Sequence, residues 1–486
     1  MAKYIMFQGT SSHVGKSILT TALCRIFYRQ GLKVAPFKAQ NMALNSFVTK
    51  DGLEMGRAQV AQAEAAMLDP IVDMNPVLLK PTGNSTSQVI INGKPIGNMS
   101  AKEYHQGYSL KAFDAVKSAL DRLDKNFDLI VIEGAGSPAE VNLKANDIVN
   151  MRVAKYLNAP VILVADIDRG GSLAALVGTL ELLDADERDL VKGLVINKFR
   201  GDINLFTPAI DFLENKTNKP VLGVIPFIDK LGIDDEDSVS LDNLECKIQN
   251  AELNIAVIRL PKISNFTDFD SLAGEVHVNL FYATNVDDLN AADLIILPGS
   301  KNTSEDLIYL HNNNFVNKIK TLADNGVAVI GICGGFQMLG EKIFDPLHTE
   351  SNNDFVEGLD LLPLTTTFAA EKFTKQVTID EIDFDFLDSH INSENIEGYE
   401  IHSGVSKFLI PHSEFRIKNI FGTYIHGIFD NDDFRRQILN AIRQQKNLPP
   451  LKNTRNVRAE KQRNYERLAK IVSDNLNMEL LKSFLN

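Results

Sequence analysis

Tyr4-Ile-Met-Phe-Gln-Gly9-Thr10-Ser-Ser-His-Val-Gly15-Lys16-Ser17 decides the fold. The apolar run Tyr4–Phe7 predicts a short buried strand. After Lys16, Ile18/Leu19, Ala22/Leu23 and Ile26/Phe27 recur as one helical stripe, which Gly31 stops. A strand, a glycine-bearing turn and a helix in that order bring backbone N–H groups and a helix N-terminus onto one phosphate. In such a turn Lys16 would reach the β- and γ-phosphates of ATP, and the Ser17 hydroxyl would ligate Mg²⁺. The spacing departs from G-x4-G-K-[ST], because Gly9 lies one residue too far back and Thr10 holds the expected glycine position. The rival reading is a glycine turn with an unrelated Lys-Ser pair. The order of elements favours ATP, with Thr10, Gly15, Lys16 and Ser17 as the phosphate-binding set.

Outward from this turn, short apolar runs recur at Leu32–Phe37, Leu129–Ile132, Val161–Ala165, Leu194–Ile196 and Val221–Ile225, with helical periodicity between them. Strands alternating with helices predict an α/β fold with a parallel sheet. Glu133 ends the run that starts at Asp128, on the carboxyl edge where open α/β sheets bind ligands, and is the expected second Mg²⁺ ligand. Asn197 ends another strand, where its amide suits an adenine edge. Pro36–Ser46 follows the second strand and is dense in amides and hydroxyls. Lys38, Gln40, Asn41, Asn45 and Ser46 are its candidate contacts for a polar, carboxylate-bearing substrate, against the alternative of a loop capped by its own Asn side chains. Asp51 and Glu54 are further metal-ligand candidates.

Asp234-Asp-Glu-Asp237 lies in a stretch without sustained period and reads as an inter-domain linker. The pattern restarts with Ile255–Leu260, Leu294–Leu297, Val327–Ile332 and Phe421–Ile425, a second parallel α/β domain. Within it, Gly331-Ile-Cys333-Gly334-Gly335 sets a cysteine at a strand-to-helix turn between glycines, the pattern of a nucleophile elbow. A thiol at its ordinary pKa is only ~3% thiolate at neutral pH, so a helix N-terminus behind it matters for reactivity. His426, at the end of a later strand, is the candidate base, and Gly299 and Gly334 could offer oxyanion N–H groups. A buried structural cysteine is the bland alternative. The expected boundaries are 1–227 for the first domain, 228–252 for the linker, 253–440 for the second domain and 441–486 for a C-terminal helical extension.

With 50 basic and 63 acidic residues the net charge is −13, which argues against a general nucleic-acid binder. Three scattered cysteines (Cys24, Cys246 and Cys333) exclude a disulfide framework. No apolar run reaches the ~18 residues that span a bilayer, and Met1–Phe7 is too short for a signal peptide. The expectation is a cytoplasmic enzyme with no membrane or nucleic-acid partner; self-association stays open.

The first half resembles the dethiobiotin-synthetase type of P-loop domain, and the second a class I glutamine amidotransferase. Gln8–Ser17, Pro36–Ser46, Asp166–Gly171, Ile196–Asp202, Leu260–Asp270 and Gly398–His402 together resemble the cobyric acid synthase family of the cobalamin pathway. The resemblance implies ATP, Mg²⁺ and glutamine as cosubstrates and a corrinoid as substrate. It implies four side-chain carboxylates amidated through acyl phosphates, with Cys333 and His426 releasing ammonia. The sister enzyme that amidates the a and c acetates shares both domains. A partitioning ATPase and a pyrimidine-nucleotide synthase are the other readings. Wider amidotransferases carry a Glu two residues after the His; here Ile428 stands there, leaving Glu400 or a backbone carbonyl as candidates to orient His426.

Overall fold

Lys3–Gly9 (β1) is followed by helix Lys16–Arg29 (α1) and by strands Val34–Phe37 (β2), Leu129–Glu133 (β3), Val161–Asp166 (β4), Val191–Phe199 (β5) and Val221–Pro226 (β6). They form one parallel sheet in the order β6-β5-β4-β1-β3-β2. The central strands are near-continuous apolar runs because both faces of a parallel sheet are covered. The phosphate turn leaves the carboxyl end of the middle strand. The computed structural model describes residues 1–83, 85–229, 231–233, 251–409, 416–452 and 455–485. The acidic run Asp234–Asp237 and Cys246 lie outside the described residues.

Two compact units make up the chain. The first comprises Met1–Ala43, Glu54–Glu236 and Ala459–Asn486. Besides the parallel sheet it holds helix Arg57–Ala65 (α2) and a four-stranded sheet built from Gln40–Met42, Val77–Pro81, Thr86–Ile91 and Lys94–Ser100. The last helices belong here too. Tyr465, Leu468, Ala469, Val472, Leu476 and Leu481 are buried in one apolar cluster with Ile5, Phe7, Leu23, Phe27 and Val131. The expected C-terminal extension at 441–486 is therefore divided: its first part stays with the second unit, and its helical end completes the core of the first.

The second unit comprises Leu44–Leu53 and Asp237–Arg458. Strands Leu253–Ile258 (β7), Val278–Ala283 (β8), Leu294–Leu297 (β9), Ala328–Ile332 (β10), Arg416–Ile417 (β13) and Ile420–Thr423 (β14) form a second sheet, in the order β8-β7-β9-β10-β14-β13. All its pairings are parallel except that of β13 with β14. A long antiparallel hairpin, Leu364–Phe386 (β11) and Ser389–Phe408 (β12), turns at Leu387 and Asp388, both with positive φ as a tight two-residue hairpin requires. The sequence reading had not foreseen β8 or this hairpin.

Candidate active sites

At the carboxyl edge of the first sheet, Gly15 takes φ +98°, and a Cβ there would fall 2.0 Å from Asn197 Nδ2. No other residue type fits this position without displacing the amide. Asn197 Nδ2 in turn donates to Val14 O at 2.8 Å, so the last strand residues hold the turn from outside. Lys198 adds its ammonium to His13 O at 2.7 Å and to Asp166 Oδ2 at 2.8 Å. Lys16 is buried, not solvent-facing: its Nζ reaches Ser11 O at 3.0 Å and Gly136 O at 3.2 Å, curled onto the turn it opens. The Thr10 N–H is spent on Val164 O at 2.9 Å, extending the sheet pairing.

Glu133 is the hub of this edge. Its Oε1 accepts from Ser17 Oγ at 2.8 Å and from Lys38 Nζ at 2.9 Å, and Gln62 Nε2 on α2 donates to Oε2 at 2.6 Å. The carboxylate is 1% exposed, and a buried ammonium and two neutral donors face it. A hydroxyl and a carboxylate held together are the hard oxygen ligands that Mg²⁺ takes, and Ser17 and Glu133 fit such an ion. Glu54 is instead paired with Lys80 at 2.9 Å, both buried. Asp51 is exposed and belongs to the second unit.

The candidate substrate loop divides. In the first unit Lys38 meets Glu133, Gln40 Oε1 accepts from Tyr104 Oη at 2.5 Å, and Asn41 Nδ2 donates to Gln59 Oε1 at 3.2 Å. Asn45 and Ser46 belong to the second unit and are fully buried. Asn45 Oδ1 accepts from Thr267 Oγ1 at 3.3 Å, and Ser46 N donates to Asn265 Oδ1 at 3.1 Å. This differs from the expected ligand contact: both residues point into protein.

In the second unit Cys333 separates β10 from the short helix Gly334–Met338 (α3), at φ 52° and ψ −105°. Such a backbone in a non-glycine residue costs about 1–3 kcal/mol and persists where surrounding packing imposes it. The packing is visible at Gly335, where a Cβ would lie 1.9 Å from Leu297 O. The sharp turn exists because α3 presses directly on β9. Cys333 N donates to Thr423 O at 2.8 Å, and its thiol lies 3.4 Å from Ile401 O.

His426 follows the end of β14 and stands beside Cys333, close enough for the two side chains to influence each other. Its Nδ1 donates to Asp268 Oδ2 at 2.6 Å, and Asp268 Oδ1 accepts from Gly427 N at 2.9 Å. With Nδ1 engaged, Nε2 is the nitrogen left to serve the thiol. Burial opposes the imidazolium, yet the Asp268 carboxylate and the neighbouring Cys333 outweigh it and lift His426 to about 10. Glu400, weighed as the orienter from sequence, lies 3.5 Å from His402 instead. Asp268 was missed because it stands 158 residues from His426. Its one signal was its place in the quoted Leu260–Asp270 run. Gly299 lies against the same imidazole, a Cβ there falling 3.1 Å from His426 Cε1, and a Cβ on Gly334 would fall 3.0 Å from Ser300 N. The two candidate oxyanion glycines thus flank the Cys–His pair. Among the described residues no helix is long and apolar enough to cross a membrane.

Known families match both halves. Residues 5–240 match the CobQ/CobB/MinD/ParA nucleotide binding domain, and residues 254–434 the CobB/CobQ-like glutamine amidotransferase domain. A cobyric acid synthase of Moorella thermoacetica is 51% identical over 100% of this chain and 98% of its own. That of Carboxydothermus hydrogenoformans is 50% identical over 100% of both chains, and that of Dehalococcoides mccartyi strain CBDB1 is 48% identical over 100% of this chain and 99% of its own. A crystal structure of a glutamine amidotransferase aligns with a TM-score of 0.29 at 13% identity, over 40% of this chain and 99% of that one, too distant to bear on the argument. The two families in this order, and full-length identity near one half, agree with the two sheet-edge sites: the chain belongs to the cobyric acid synthase family and is a glutamine-dependent amide ligase.

Proposed function

We propose that this chain converts adenosylcobyrinic acid a,c-diamide to adenosylcobyric acid in the cytoplasm, amidating the b, d, e and g carboxylates with one glutamine and one ATP each. The observation that carries the reading is the buried Cys333–His426–Asp268 array, a nitrogen-releasing site in the same chain as a phosphate turn. In the second unit the Cys333 thiolate attacks the glutamine amide carbon, and the developing oxyanion faces the N–H groups of Gly299 and Gly334. His426 gives its Nε2 proton to the departing ammonia, and water then hydrolyses the thioester to glutamate.

In the first unit a substrate carboxylate attacks the γ-phosphorus of ATP, giving an acyl phosphate and ADP. Lys16 offsets charge on the transferring phosphoryl group, Thr10 and Gly15 line the turn, and Asn197 faces the nucleotide. Ser17 and Glu133 would hold Mg²⁺, which supplies further charge neutralisation there. Lys38, Gln40 and Asn41 contact the corrinoid. Ammonia displaces phosphate to form the amide. The test is mass spectrometry of product after incubation with the a,c-diamide, ATP, Mg²⁺ and glutamine. Four successive amidations are expected. Turnover of the unamidated acid to a diamide, with none of the a,c-diamide, would assign the chain to the a,c-amidating reaction instead.

A further inference from the structure

Leu44–Leu53 belongs to the second compact unit, although Ala43 and Glu54 on either side of it belong to the first. Within the second unit this strap makes a closed ring of hydrogen bonds. Ser46 N donates to Asn265 Oδ1 at 3.1 Å, Asn265 Nδ2 donates to Tyr399 Oη at 3.2 Å, and Tyr399 Oη donates to Ser46 O at 3.0 Å. All three residues are buried. A buried polar ring is stable when every member is satisfied, so losing one link leaves the others desolvated and open.

The two side chains that the Ser46 backbone holds are the supports of the Asp268–His426 pair. Asn265, at φ 52°, opens the turn Phe266–Phe269 that carries Asp268. Tyr399 is bridged to His426 by both backbone bonds, at 2.8 and 3.2 Å, and its ring stacks on the imidazole with centroids 5.3 Å apart. On the strap, Phe47 packs edge-on against the Tyr399 ring at 4.9 Å, and Asn45 takes the Thr267 hydroxyl beside Asp268. Thr374 Oγ1 anchors the far end of the strap by donating to Gly52 O at 2.6 Å. Apolar packing adds to this, with Val48 and Phe47 clustered against Tyr399 and Ile401. The backbone N–H and C=O of one residue, Ser46, tie the element bearing the carboxylate to the element bearing the imidazole.

We propose that the strap Leu44–Leu53 is a positioning element of the glutamine-hydrolysing site, the Ser46 backbone keeping Asp268 and His426 in register. This rests on the reading of Cys333 and His426 as the pair that releases ammonia. Proton transfer tolerates displacements well below 1 Å, so slack in the ring is expected to cost turnover more than substrate binding. The titratable groups against His426 are Asp268 from its turn, Cys333 from the start of α3 and Tyr399 from β12. The position of the imidazolium is therefore read by the thiolate it supports.

The experiment compares Tyr399→Phe, Asn265→Gly and Phe47→Ala in the full-length protein. Tyr399→Phe removes one oxygen and keeps the ring; Asn265→Gly tolerates the positive φ. Measured are kcat and KM for glutamine hydrolysis, the melting temperature, and iodoacetamide alkylation of Cys333 against pH, followed by peptide mass spectrometry. Each variant is expected to lose about 10-fold in kcat with KM changed less than about 2-fold, and to need higher pH for half-maximal alkylation. Folded variants with wild-type kcat and an unshifted alkylation profile would overturn the proposal. Should Asn265→Gly or Phe47→Ala not fold, Tyr399→Phe decides. Cys333→Ala separates the two layers: glutamine hydrolysis surviving in it would overturn the underlying site reading rather than the role of the strap.

Discussion

Asp268 and His426, 158 residues apart in sequence, meet at 2.6 Å between Oδ2 and Nδ1, with the second carboxylate oxygen tied to Gly427 N. The carboxylate fixes both the orientation of the ring and its protonation. Asp268→Asn keeps the size and removes the charge, so it is expected to lower glutamine hydrolysis on the order of 10²-fold. The sign of the pH effect follows from the raised imidazole. Protonated His426 stabilises the fold fully below about 6.5, and that advantage fades as pH rises through about 10. In Asp268→Asn the alkaline limb of kcat/KM should therefore move to lower pH. An unmoved limb would mean that Asp268 supports the fold alone.

Cys333→Ala should eliminate glutamine hydrolysis while ATP-dependent amidation continues when ammonia is supplied at high concentration. His426→Ala should behave alike. Loss of ammonia-dependent amidation in a well-folded Cys333→Ala protein would show that the thiol serves the synthetase chemistry.

Glu133→Gln removes the buried negative charge that Lys38 Nζ meets at 2.9 Å. Breaking a buried pair from one side costs about 3–5 kcal/mol, so the melting temperature should fall and the Mg²⁺ requirement rise. Adding Lys38→Met should restore much of the stability and none of the amidation. Calorimetry and an Mg²⁺ titration of activity test both halves of this statement.

Lys16→Ala removes the Nζ contacts to Ser11 O and Gly136 O, each a hydrogen bond worth about 1 kcal/mol net, and should leave a folded protein. ATP-dependent amidation should vanish, with glutamine as well as ammonia. Residual amidation near the wild-type rate would remove the lysine from phosphoryl transfer.

Much of the fold was legible because parallel strands buried on both faces write themselves as apolar runs, as in Leu129–Ile132 and Val161–Ala165. The hairpin β11/β12 was not. Its strands alternate buried and exposed residues along much of their length, with no apolar run to mark them, and its turn is Leu387-Asp388, not a glycine pair. Cys333 stood out through the glycines that a helix pressed on a strand demands. Asn45 and Ser46 read as ligand contacts because composition reports polarity, whereas burial and long-range pairing with Asn265 and Thr267 are properties of the folded chain. Asp268 was illegible for the same reason: no local spacing joins it to His426.

The C-terminal helices bear on synthesis as well as on the fold. A ribosome makes Tyr465, Leu468 and Val472 only after the amidotransferase half, yet they share an apolar cluster with Ile5 and Phe7 from the first strand. The nucleotide-binding half must therefore wait, its apolar surface uncovered, while the amidotransferase half is translated. A fragment that stops at residue 240 would lack Tyr465, Leu468 and Val472 and would leave that part of the apolar cluster uncovered.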